Sequence, residues 1–85
     1  MDFQVVEYDV WGNAKDGYEV NGAYVTNNII TIEEEATNED ICDWLRGYLY
    51  PGLPKKITID GDYNFSLYLE AEEDGKPLLE LRRVH

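Results

Sequence analysis

T-N-E-D-I-C-D-W-L-R-G-Y-L-Y, Thr37 to Tyr50, is the stretch whose apolar residues recur at helical spacing: Ile41, Trp44, Leu45, Tyr48 and Leu49 fall at i, i+3, i+4, i+7 and i+8. One apolar stripe is therefore expected to face a core. Thr37, three residues before Asp40, suits a capping-box variant, and Glu39, Asp40 and Asp43 sit near the positive end of the helix dipole. Pro51-Gly52 and Pro54 end the pattern, since proline has no N–H for the helical ladder and glycine readily leaves helical angles. With this one helix in mid-chain, the fold class depends on what flanks it.

Both flanks read as β. On the C-terminal side, Ile57 and Ile59 mark a short strand and Asp60-Gly61 a two-residue hairpin signal. Tyr63 to Glu72 then alternates strictly, and Asp74-Gly75 turns the chain into Leu78 to Val84. Within the long run, Tyr63, Phe65, Leu67, Leu69 and Ala71 point one way, while Asn64, Ser66, Tyr68, Glu70 and Glu72 point the other. The helix is expected to cover the first set, joined by Leu79 and Leu81. On the N-terminal side, Phe3 to Trp11 is apolar on both alternations, which suits a strand inside a sheet. Tyr18 to Thr26 resumes β-type residues, with Asn21-Gly22 signalling a bulge or an early turn. Ile29 to Ile32 is a third strand or the tail of the second. The expected fold is α+β: a mostly antiparallel sheet of five to six strands with one helix packed on one face, in the order β-β-β-α-β-β-β.

Length and composition bound the function. Eighty-five residues make a single small domain, 1–85, and 44% hydrophobic content is ordinary for a chain that folds alone. The single cysteine, Cys42, allows no internal disulfide and no Cys-based zinc site, which favours a reducing compartment. The N-terminal M-D-F-Q-V-V-E-Y carries no basic leader, and nowhere do about 18 apolar residues run uninterrupted, so a soluble, cytoplasmic protein is expected. Eighteen acids against seven bases give a net charge of −11. That field repels nucleic-acid phosphates and anionic membranes and favours a basic protein surface as partner.

Catalytic constellations are sparse. The only histidine is the last residue, His85, and the only serine, Ser66, lies in the alternating strand without nucleophile-elbow glycines. Cys42, early in the helix, reads as a small core or boundary residue. Carboxylate pairs are so abundant that proximity alone carries no weight, and no phosphate loop, H-E-x-x-H motif or Cys/His cluster is present. The expectation is a non-enzymatic protein that needs no cofactor.

Two segments have candidate binding roles. Glu33, Glu34, Glu35, Glu39, Asp40 and Asp43 put six carboxylates into eleven residues. The plain reading is a solvated loop and a dipole-satisfying helix start. The functional reading joins this ridge to Asp60, Asp62, Glu70 and Glu72 as an imitation of a phosphate array, with Tyr68 as a partner-binding aromatic beside them. Of the seven tyrosines, Tyr8, Tyr24, Tyr50 and Tyr68 are the interface candidates, while Tyr18, Tyr48 and Tyr63 read as core or boundary. Lys55, Lys56, Lys76, Arg82 and Arg83 gather in the C-terminal half, where pairing of Arg82 with Glu70 or Glu72 accounts for the arginines without a ligand.

The second segment is D-V-W-G-N-A-K-D-G-Y-E-V-N, Asp9 to Asn21. Asp9, Asn13, Asp16 and Gly17 supply oxygen ligands and a turn glycine, so a regulatory or structural module whose loop takes calcium or a small ligand is the alternative function. The spacing is not that of an EF-hand, and a connection whose Trp11 and Tyr18 pack across its base is the plainer reading; no metal ligands are assigned. Any function of the loop is expected from the aromatics Trp11 and Tyr18 and from the tip, Asn13 to Asp16.

The same segment, with the β-rich half ending in L-E-L-R-R, resembles small acidic uncharacterised proteins of bacteriophages and bacterial mobile elements. The resemblance covers most of the chain and carries over no catalytic residues. It implies, by analogy, an inhibitor that binds host defence or nucleic-acid-handling proteins, in some cases by imitating DNA.

Overall fold

β-Rich flanks around one capped helix fold here into a single sheet with the helix on one face. The computed structural model describes residues 1–8 and 17–84. Its elements are β1 (Asp2–Tyr8), β2 (Gly17–Val20), β3 (Ala23–Thr31), α1 (Asn38–Tyr48), β4 (Ile57–Asp62), β5 (Ser66–Ala71) and β6 (Pro77–Val84). The strands form an open antiparallel sheet in the order β2-β3-β1-β6-β5-β4. The α+β class and element order expected from the sequence are those observed.

β1 lies between β3 and β6, which explains its apolar residues on both alternations. Phe3 and Val5 join Ile30, Leu67, Leu69, Leu79 and Leu81 beneath Ile41 and Leu45 of the helix. Val6 belongs to a smaller cluster with Ala23 and Val25. The capping box forms: Asp40 N–H donates to Thr37 Oγ1 at 3.1 Å and Thr37 N–H donates to Asp40 Oδ2 at 3.1 Å. After the helix, Arg46 holds the returning chain by donating to the carbonyls of Leu53 at 3.1 Å and Pro54 at 2.6 Å.

Several boundaries and orientations differ from expectation. The run from Tyr18 to Thr26 is split at Asn21-Gly22, where φ values of 50° and 84° make a tight hairpin turn, and Ile29 and Ile30 belong to the long β3. Asp60-Gly61 lies inside β4, and the chain reverses after Asp62, where Phe65 N–H donates to Asp62 O at 2.9 Å. Gly61, at φ 118°, marks a close approach: a side chain there would overlap the Ser66 carbonyl. The alternation therefore operates from Ser66 to Ala71 only. Phe65 is left exposed in the turn, and Tyr63 packs edge-on against Phe3 at 6.5 Å.

The helix is also rotated relative to the expected stripe. Ile41, Cys42 and Leu45 are buried, whereas Trp44 is 42% and Tyr48 76% exposed. Two i, i+4 ridges ran side by side, and burial of Cys42 shows that the Ile41–Leu45–Leu49 ridge is the central one. Tyr18 is exposed as well, whereas Tyr50, expected at the surface, is buried, its hydroxyl donating to buried Glu7 at 2.8 Å.

Candidate functional site

Capping α1 with Thr37 turns the preceding Glu33-Glu34-Glu35 loop along the helix N-terminus, and Ile32 anchors the loop through reciprocal backbone bonds with Met1. The result is a groove of about 460 Å³ walled by Ile30 to Glu33, Glu35, Ala36, Asp40, Ile41 and Trp44. Of the proposed ridge, Glu33, Glu35 and Asp40 converge here, and Glu34 is exposed in the same loop. Glu39 and Asp43 lie instead on a second groove with Cys42, Arg46, Lys55 and Ile57, between the helix and β4. Asp43 pairs with Arg46 at 2.9 Å, and it is the only ridge carboxylate with an ion-pair partner among the described residues.

Trp44 and Tyr48, expected on the core-facing stripe with Tyr48 as a core or boundary residue, are surface residues. Their rings lie 5.3 Å apart, tilted by 33°, on the flank of α1 that borders the first groove. The signal for this was Cys42, whose small apolar side chain moves the centre of the buried stripe away from Trp44.

Tyr68 and Glu70 are not brought to the ridge. They alternate with Leu67 and Leu69, which face the helix, so they lie on the opposite face of the sheet. There Tyr68 is opposite Asp60 of β4 on one side and Glu80 of β6 on the other, and Glu70 is opposite Thr58. Trp11, Asn13 and Asp16, with most of the Asp9–Asn21 segment considered for calcium, lie outside the described residues. The described residues contain no group of three or more His, Cys, Asp or Glu side chains that could hold a metal ion.

A polar network on the outer face explains residues that otherwise suggest chemistry. Glu80, nearly buried, accepts from Tyr8 Oη at 2.5 Å, Ser66 Oγ at 3.0 Å and Arg82 Nε at 2.8 Å. Burial pushes its pKa up, but these three donors outweigh burial and hold it below the usual carboxylate range. Burial first, then the bond to Glu80, pushes the Tyr8 hydroxyl up to about 12. Ser66 is thus a donor to a carboxylate whose lowered pKa makes it a weak base. Arg82 pairs with Glu80 on its own strand, where Glu70 or Glu72 had been expected, because two residues on they share a face. Arg83 stacks over the Phe3 ring at 5.9 Å and donates to Tyr63 O at 3.2 Å. The Cys42 thiol is raised by burial, which disfavours the thiolate.

No helix of the described residues is long and apolar enough to cross a membrane. No protein-family model matches the chain, and neither does a curated protein or a solved structure.

Proposed function

We propose that this chain is a non-enzymatic interaction module that docks its acidic ridge onto the basic surface of another protein, of the kind that handles nucleic acid, and so acts as an inhibitor of the DNA-mimic type. The observation that carries the reading is the first groove. Glu33, Glu35 and Asp40 line it together with Trp44, and no described cation pairs with these carboxylates. A lysine or arginine entering between them meets carboxylates and gains a cation–π contact of about 0.5–2 kcal/mol. The adjoining rings of Trp44 and Tyr48 supply exposed aromatic area of the kind on which interfaces concentrate their binding energy. The net charge of −11 adds long-range attraction toward a basic partner and repulsion from nucleic acid itself. The resemblance to acidic phage and mobile-element proteins points the same way by analogy.

The test is affinity capture from a bacterial lysate at low and high salt, followed by titration of the purified partner against the wild type and a Glu33→Lys, Glu34→Lys, Glu35→Lys variant. Binding that falls with salt and is abolished by charge reversal supports the reading. An affinity unchanged by the reversal sinks it.

A further inference from the structure

The sheet is open, and its two edges differ. β2 follows directly on residues outside the described set, whereas β4 ends the sheet with β5 on one side and no strand on the other among the described residues. Glu72 N–H donates to Lys56 O at 3.1 Å, and these residues continue the β4–β5 register. Bonded pairs recur at every second residue of an antiparallel ladder, so Thr58 and Asp60 direct their main-chain groups to β5. Ile57 and Ile59 direct theirs to the open edge.

The surroundings of that edge specify what fits it. Toward the helix, Ile57 and Ile59 are only half-buried at the rim of the core. Beyond them runs a groove of mixed charge lined by Glu39, Cys42, Asp43, Arg46 and Lys55, in which Asp43 is paired with Arg46. On the outer face, Asp60 lies beside Tyr68, and Thr58 beside Glu70. A second copy would bring together two chains of charge −11, which disfavours self-pairing even where an antiparallel register sets Asp62 opposite Lys56. Lys55 and Lys56 at the start of β4 repel cations there and shift a basic segment toward the Asp60 end.

Resting on the reading of the ridge as a site for a basic partner, we propose that the partner contributes an extended segment of alternating apolar and basic residues that adds to the β4 edge. Its apolar side chains complete the burial of Ile57 and Ile59, and its main chain bonds to their free groups. Its lysines or arginines meet Asp60 on the outer face, with Tyr68 and Glu70 on the adjoining strand. Strand addition in this mode draws affinity from main-chain bonds and specificity from alternate side chains. It also gives a role to the outer-face pair Tyr68 and Glu70, which the topology separates from the acids beside α1.

The probe is a peptide as long as β4, of alternating lysine and valine, added to the full-length ¹⁵N-labelled protein. Two control peptides are used: one N-methylated on the residues that would bond β4, and one with glutamate in place of lysine. The expected result is amide-exchange protection at Ile57 and Ile59, with binding weakened about tenfold or more by N-methylation and lost with glutamate. Equal binding of the N-methylated peptide overturns strand addition, even if salt weakens both, and leaves the acidic-ridge reading intact. Failure of the lysine peptide to bind, or protection of Ile57 and Ile59 that grows with protein concentration alone, also overturns it, the latter by showing that a second copy takes the edge. The ridge reading falls separately, in the titration of the captured partner.

Discussion

Glu80→Gln tests the physical account of the sheet most quantitatively. The carboxylate side chain is 5% exposed and gathers Tyr8, Ser66 and Arg82. The amide keeps the shape and loses the charge. Each partly buried charge-assisted bond from a hydroxyl then weakens by about 1 kcal/mol. Arg82 is 45% exposed, so solvent screening reduces its share to a few tenths, about 0.3 kcal/mol. The sum is about 2 kcal/mol, which for a domain of this size lowers Tm by about 8–16 °C. The sign with pH follows from the depressed carboxyl. Its stabilisation is present above the unfolded carboxylate pKa and is lost as pH falls through the lower folded value. Urea denaturation of wild type and variant from neutral to acidic pH therefore shows a gap that is largest near neutrality and closes in acid. A variant within about 0.5 kcal/mol of wild type at neutral pH, or a gap that does not change with pH, refutes the reasoning.

The helix rotation makes a paired prediction. Leu45→Ala, at a fully buried position, costs about 3 kcal/mol by urea denaturation, whereas Trp44→Ala costs about 1 kcal/mol or less and acts mainly on partner affinity. In alkaline spectrophotometric titration, Tyr8 and Tyr50 ionise above the ordinary tyrosine pKa, because burial and their bonds to Glu80 and Glu7 raise both. The stability this represents is present below the ordinary tyrosine pKa and is lost as pH rises through the folded values, so Tyr8→Phe and Tyr50→Phe remove the late ionisations. Cys42 in the native protein reacts slowly with a thiol reagent at neutral pH and at the free-thiol rate in urea, since burial raises its pKa.

The α+β order was legible because each level of the sequence agreed: a capped helix between β-rich flanks, with strict alternation in Leu67 to Ala71. The central position of β1 was legible from apolar residues on both alternations. Turn placement was less so. Asp60-Gly61 carries a hairpin signature, but Gly61 is required where the chain passes close to Ser66, and the reversal is made by the next residues. Trp44 was misread because periodicity gives a face only to within one helical ridge, and which of two adjacent ridges is central depends on the packing of Cys42 against the sheet. Tyr50 was misread because nothing local to Y-P-G records that its hydroxyl reaches Glu7, 43 residues away. The acidic ridge was visible as a charge run. Its division between two grooves, and the separation of Tyr68 and Glu70 from both Glu33 and Glu35, followed only from the topology.

The central claim is that the ridge carboxylates bind a basic partner through charge. The most direct measurement is the dissociation constant of the captured partner for wild type and for Glu33→Gln, Glu34→Gln, Glu35→Gln, at ionic strengths where the screening length is about 10 Å and about 3 Å. The account predicts a variant weaker by about tenfold or more at the lower ionic strength, with the difference largely gone at the higher. Equal affinities of the two proteins at both ionic strengths would contradict it.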